Sequence, residues 1–123
     1  MVKLSILVVE DEAIIGMLLS EVLAGMGYKV CAVVASEDEA VEAAALHLPD
    51  LLIVDAGLAA GNGLSAVDTI LAVRFVPHVF TTGNALKVRL LRPEAIVLEK
   101  PFHETELADA IALALSRAPE LRA

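Results

Sequence analysis

Leu51-Leu52-Ile53-Val54-Asp55 runs directly into Ala56-Gly57-Leu58-Ala59-Ala60-Gly61-Asn62-Gly63, and a helical pattern begins at Leu64. Four apolar, mostly branched residues in a row suit a strand buried on both faces, as in a parallel sheet. A carboxylate that ends such a strand, ahead of a small glycine-rich loop and a helix, stands at the carboxyl edge of the sheet. Open α/β sheets bind their ligands at that edge. Taken alone, Asp55 reads equally well as a helix cap or a solvated loop residue. The flanking segments have to decide.

Before this stretch, Lys3 to Val9 is a second buried-strand pattern, and it ends in Glu10-Asp11-Glu12. Ala13 to Met26 follows as a helix whose apolar face is expected at Ile14, Leu18, Val22 and Met26, with Ile15 and Leu19 beside them. Gly25 and Gly27 mark its end. Tyr28 to Ala35 reads as a strand. Ser36 with Glu39 forms a capping box that opens a helix from Glu37 to Leu46, and Pro49-Asp50 breaks the chain ahead of the central strand. After the glycine loop, Leu64, Val67, Ile70, Leu71 and Arg74 outline a helix. His78 to Thr81 is a fourth strand, and Thr82-Gly83-Asn84 a turn. Ala85 to Arg92 is a short, basic, weakly helical segment stopped by Pro93. Ala95 to Leu98 is a fifth strand before Glu99-Lys100-Pro101-Phe102. Thr105 to Arg117 is an amphipathic helix with Leu107, Ile111, Ala114 and Leu115 on its apolar face. Strands alternating with helices predict an α/β fold. The expected form is a doubly wound, flavodoxin-like five-stranded parallel sheet in strand order 2-1-3-4-5, with a short or irregular fourth helix.

The chain has 123 residues, so a single domain over 1–123, without an output domain, is expected. Its formal net charge is -8, and it has no basic cluster, which argues against nucleic acid as a partner. No apolar stretch is long enough to span a bilayer and no cleavable leader is seen, so a soluble cytoplasmic protein is expected. The single cysteine, Cys31, lies in an apolar run and is expected to be a buried, inert thiol. His47, His78 and His103 sit on different elements and form no zinc pattern.

In the expected fold, the ends of strands one, three, four and five share one crevice. They bring Glu10 and Asp11, then Asp55, then Thr81 and Thr82, then Lys100. Three carboxylates in one crevice repel one another, and a hard divalent cation relieves that repulsion. Magnesium takes oxygen ligands and keeps several waters. Asp11 and Asp55 are expected as direct ligands, Glu10 mainly through water, and the Gly57 carbonyl as the main-chain ligand. Glu12 is expected only to favour the positive end of the helix that follows. A cation beside a carboxylate, a lysine and a hydroxyl suits phosphoryl chemistry. Asp55 would attack phosphorus, while Lys100 and the Thr82 hydroxyl would meet the oxygens of the transferring group.

Val8-Val9-Glu10-Asp11-Glu12, Leu51 to Asp55 with Gly63 beyond, Thr82-Gly83 and Lys100-Pro101-Phe102, in that order, resemble the receiver domain of bacterial two-component response regulators over nearly the whole chain. The resemblance implies that Asp55 accepts a phosphoryl group from a sensor histidine kinase or a histidine phosphotransfer protein, with Mg2+ bound. It also implies a cis peptide between Lys100 and Pro101. Some positions depart from the family pattern. Glu10 stands where many members have Asp, Ala59 where a proline is common, and Val97 where an aromatic swings inward on activation. Phe80-Thr81-Thr82-Gly83 is similar to the signature of a stand-alone subgroup called FAT GUY, although Asn84 stands where that signature has tyrosine. That subgroup lacks the switch aromatic and has an irregular fourth helix, so the resemblance implies a shift of the loop from Gly83 to Pro93 as the activation signal in place of an aromatic rotation.

The function expected is that of a phosphoacceptor working as a sink, a relay or a diffusible regulator through protein contacts. It is not an enzyme beyond promoting its own phosphorylation and dephosphorylation. The alternative is a pseudo-receiver that docks partners without phosphorylation. A phosphatase of the haloacid dehalogenase type needs a second acid two residues after the nucleophile, where this chain has Gly57. A flavin binder needs a phosphate-cradling loop where this chain has acids.

Overall fold

The computed structural model describes residues 2–117. In chain order the elements are β1 (Ser5–Val9), α1 (Ala13–Gly25), β2 (Lys29–Val34), α2 (Glu37–His47), β3 (Leu51–Asp55), α3 (Gly63–Val73), β4 (His78–Thr82), α4 (Ala85–Leu91), β5 (Val97–Glu99) and α5 (Glu104–Ser116). The five strands form one sheet in the order β2-β1-β3-β4-β5, with every neighbouring pair parallel. This is the expected flavodoxin-like order, and α4 is the short helix the sequence suggests.

β1 and β3 carry unbroken apolar runs, Ile6 to Val9 and Leu51 to Val54, because both of their faces are covered. On one face, Leu7, Val9, Leu52, Val54 and Phe80 pack with Ala40, Ala43 and Ala44 of α2 and Leu64, Val67 and Ile70 of α3. On the other, Ile6, Val8, Leu51, Ile53 and Val79 pack with Leu19 and Leu23 of α1 and Leu107, Ile111 and Ala114 of α5. Each fully buried aliphatic side chain stabilises the fold by about 1.5–3 kcal/mol relative to exposure. Only half of the expected capping box on α2 forms: the Glu39 N–H donates to the Ser36 hydroxyl at 3.2 Å, but the Glu39 carboxylate accepts the Ala35 N–H at 3.0 Å instead of the Ser36 N–H.

The expected apolar face of α1 is right at Leu19, Val22 and Met26, which meet the core, and wrong at Ile14, Ile15 and Leu18. Ile14 is 69% exposed and Leu18 51%, whereas Gly16, Leu19 and Leu23 are buried. Nearly every position of this helix is apolar, so periodicity alone cannot choose its inner stripe. Gly16 chooses it. A Cβ there would stand 2.9 Å from the Val33 Cγ1 of β2, so a larger residue would force Val33 or the helix to shift.

Element ends also shift. β1 begins at Ser5, and β2 runs from Lys29 to Val34. β4 extends through Thr82, which pairs with Glu99. β5 starts at Val97 because the Ala95 N–H is used in a turn onto the Arg92 carbonyl, 3.0 Å away. α5 starts at Glu104, where the Glu106 carboxylate accepts the His103 N–H at 2.8 Å. The end of this helix expected at Arg117 falls one residue earlier, at Ser116.

Cys31 is half-buried, not buried. The β1–β2 register skips from Ile6↔Val30 to Leu7↔Ala32, which leaves Cys31 out of the pairing and within 3.4 Å of the Ile6 carbonyl. Burial pushes its thiol pKa up. No helix among the described residues is long and apolar enough to cross a membrane.

Candidate functional site

Register brings the acids together. Val9 pairs with Val54, so Glu10 and Asp55 leave the sheet side by side. Asp55 pairs with Thr81. At the end of β5 the Lys100 N–H donates to the Thr82 carbonyl at 2.8 Å, which holds the lysine at the same edge. The peptide between Lys100 and Pro101 is cis.

The Lys100 ammonium bridges two carboxylates. Its Nζ lies 2.7 Å from Glu10 Oε1 and 2.9 Å from Asp55 Oδ2. The second oxygen of each acid is held by backbone: Glu10 Oε2 accepts the Glu12 N–H at 3.1 Å, and Asp55 Oδ1 accepts the Gly57 N–H at 2.9 Å. Asp11 reaches across to the β3–α3 loop, where its Oδ2 accepts the Ala59 N–H at 2.6 Å. Glu10 and Asp55 are only 4% and 8% exposed, so their own contacts are shielded from bulk water and little screened, whereas the Asp11–Ala59 bond is exposed.

Two of these groups titrate away from their ordinary values. Burial pushes the Glu10 carboxyl up, although its hydrogen bonds to Lys100 and Glu12 pull the other way. For Lys100, burial lowers the pKa, but the hydrogen bonds to Glu10 and Asp55 outweigh it, and the ammonium is held above its ordinary value. Both directions follow from taking charge out of water and then partly compensating it.

One lysine does not balance three acids. Glu10, Asp11 and Asp55 each offer an oxygen, all within 4.8 Å of one another. Magnesium binds oxygens at about 2.1 Å, so its ligand oxygens stand about 3 Å apart when adjacent and about 4.2 Å when opposite. Three carboxylate oxygens this close together are the hard, anionic donors that magnesium takes, so the residues fit the cation. His47, His78 and His103 take no part in this group.

Thr82 is buried at the end of β4, and its hydroxyl oxygen accepts the Asn84 N–H at 3.0 Å. Accepting that bond leaves its own proton to donate. Val97 is half-buried, and an Arg89 guanidinium N–H reaches its carbonyl at 3.5 Å. Glu12 stands at the N-cap of α1 without a side-chain capping bond. The structure therefore gathers Glu10, Asp11, Asp55, Gly57 and Lys100 in one cluster, with Thr82 tied to it through the strand ends.

Sequence reasoning passed over two acids near the site. Glu99 accepts the Ala85 N–H at 3.0 Å and so anchors the start of α4 to β5. Glu37 reaches the loop after β3, where its Oε1 accepts the Asn62 N–H at 2.9 Å. Neither has a local signal, because its partner lies 14 or 25 residues away. Asn62 caps α3: its side chain accepts the Leu64 and Ser65 N–H groups at 2.7 and 3.2 Å.

Comparison with known proteins returns the same architecture. The profile of the family described as response regulator receiver domain matches residues 6–112. The transcriptional regulatory protein PdtaR of Mycobacterium tuberculosis is 37% identical over 122 residues, covering 96% of this chain and 60% of PdtaR. The phyllosphere-induced regulator PhyR of Methylorubrum extorquens is 38% identical over 116 residues, covering 89% of this chain and 43% of PhyR. The chain thus spans less than two thirds of either relative. Among solved structures, the receiver domain of PhyR from Erythrobacter litoralis superposes with a TM-score of 0.87 at 31% identity, over 95% of this chain and 93% of that one.

Proposed function

The chain belongs to the response regulator receiver domain family, and on that premise we propose that it is a phosphoacceptor whose Asp55 takes a phosphoryl group from a phosphohistidine donor. The single observation that carries the reading is the Lys100 ammonium held between Glu10 and Asp55 at 2.7 and 2.9 Å, with Asp11 beside them. A purely structural ion pair needs one acid; a half-buried lysine on two acids, with a third beside them, suits a further cation and an incoming anion.

In the proposed reaction an Asp55 carboxylate oxygen attacks phosphorus. A P–O bond forms, the P–N bond to the donor imidazole breaks, and its electron pair stays on the ring nitrogen. Lys100, already 2.9 Å from Asp55, offsets negative charge on the equatorial oxygens. The Thr82 hydroxyl donates to one of them while it still accepts from Asn84. Glu10, Asp11, Asp55 and the Gly57 carbonyl would hold Mg2+. When bound, it supplies charge stabilisation to the phosphoryl oxygens.

The donor is a protein, a sensor kinase or phosphotransfer protein, on this reading. Ile14, Met17 and Leu18 are 69%, 56% and 51% exposed on α1, next to Glu10 and Asp11, and give a protein donor an apolar surface to rest on. Output would follow through protein contacts, with the segment from Gly83 to Pro93 as the moving part, since Val97 has no ring to rotate.

The test is acetyl phosphate with Mg2+, read by intact mass. A gain of one phosphoryl group that is lost in Asp55→Asn and in excess chelator is expected. Labelling that persists in Asp55→Asn, or without any divalent cation, would overturn the proposal. Partner affinity unchanged by beryllofluoride would favour docking that does not depend on phosphorylation.

A further inference from the structure

The loop that carries Gly57 is gripped from outside the acidic cluster. Glu37, in the first turn of α2, sends its carboxylate across to that loop. Its Oε1 accepts the Asn62 N–H at 2.9 Å, and its Oε2 accepts the Ser65 hydroxyl at 2.6 Å. Its backbone N–H donates to the Ala60 carbonyl at 3.1 Å, and Ser36 forms an isolated parallel bridge with Ala60. Gly61 lies beneath the carboxylate with a φ of 88°, where a Cβ would overlap the Glu37 side chain. A left-handed turn without a side chain is what lets the grip close. At its other end the loop hangs on the cluster itself, through Gly57 to Asp55 and Ala59 to Asp11.

We propose that Glu37 is a positioning residue for the cation site: by clasping Asn62 and Ser65 it fixes the loop in which Gly57 and Ala59 meet the acids, and so raises divalent-cation affinity. This rests on the reading of the site given above. The loop is mostly glycine and alanine, so left free it would populate many conformations. A site that is competent only part of the time binds more weakly by that fraction; a loop correctly placed about one tenth of the time weakens binding about tenfold. Glu37 touches neither the cation ligands' oxygens nor Lys100. It acts through the backbone between them.

A simple charge effect makes a different prediction, and the experiment separates the two. Mg2+ is titrated calorimetrically into the full chain as wild type, Glu37→Ala, Glu37→Gln and Asp38→Asn, and amide hydrogen exchange is followed without metal. Glu37→Gln keeps an acceptor for Asn62 and a partner for Ser65 but removes the charge. Asp38→Asn removes a neighbouring charge from the same helical turn. The expected result is an affinity about tenfold weaker in Glu37→Ala, with faster metal-free exchange at Gly57, Ala59 and Asn62, wild-type behaviour in Glu37→Gln, and no change in Asp38→Asn. Unchanged affinity and exchange in Glu37→Ala would overturn the proposal. So would an equal loss in Glu37→Gln, which would mean charge alone. If Glu37→Ala does not fold, Ser65→Ala decides, because it removes one partner of the clasp; full affinity there overturns the idea. A wild type that binds no Mg2+ ends the reading of the site itself, an outcome distinct from wild-type binding that Glu37 does not influence.

Discussion

Lys100 and His78 are both partly buried cations-in-waiting, and their neighbours send them opposite ways. Lys100 faces two carboxylates and stays charged. His78 is pushed down by burial, with Arg92 and Arg117 adding to the effect and the Val76 carbonyl and Asp68 opposing it. Its ring lies edge-on to Phe80 at 5.5 Å, and its Nδ1 is 2.9 Å from the Val76 carbonyl. With the folded pKa below the ordinary 6.5, the unfolded chain binds the proton more readily. Stability contributed by neutral His78 is therefore present above about pH 6.5 and is lost as pH falls through the folded value. Urea midpoints measured between pH 7.5 and about 5.5, a range spanning the ordinary histidine pKa, should fall in the wild type and fall less in His78→Phe. Equal slopes would remove His78 as the cause. At this scale Asp55, Glu10 and Lys100 were readable because each closes a buried strand. The half-exposed state of Cys31 was not, because it depends on one skipped residue in the β1–β2 register.

α3 is docked on the strand that carries Asp55 through a single glycine. Gly63 is buried, its N–H donates to the Ala56 carbonyl at 3.2 Å, and a Cβ at this position would overlap the Asp55 carbonyl. Backbone cannot step aside cheaply, so Gly63→Ala should destabilise the protein by about 1–3 kcal/mol by overpacking, read as a lower urea midpoint with unchanged slope. A midpoint equal to that of the wild type would show that the helix can shift freely. Helix α1 gives the complementary case. Its sequence announces a helix but not which side faces inward, and Gly16 against Val33 settles that. Helix α4, seven residues long, is held at its start by Asn84, whose side chain accepts the Lys87 N–H, and by Glu99. A chelate of Arg92 on Asp68, at 3.0 and 2.7 Å, ties its end to α3, although a pair this exposed is worth about 0–1 kcal/mol.

For the whole molecule, folding concentrates acid at one edge of the sheet, in a chain whose formal net charge is already -8. A ligand that binds only the folded state stabilises it, by about 1.4 kcal/mol at ten times its dissociation constant. Mg2+ should therefore raise the urea midpoint relative to KCl of matched ionic strength, and Asp11→Asn should abolish most of the gain. An equal gain in Asp11→Asn would mean general screening of negative charge rather than a site. The matched salt matters because exposed acids repel one another over a Debye length of about 10 Å at 0.1 M ionic strength, and any salt relieves that.

By itself the sequence determined the order of strands and helices, the parallel sheet and which residues reach its carboxyl edge. Those follow from local signals: unbroken apolar runs, capping residues and the acids or lysine that end a strand. The tertiary structure alone decided which face of α1 is buried, where Lys100 places its ammonium, and that Glu37 and Glu99 hold loops far from them in sequence. The reason is physical. A strand's two covered faces leave a mark on every residue of the strand, whereas a contact between side chains of separate elements depends on register, helix rotation and one permissive glycine, none of which its own segment records.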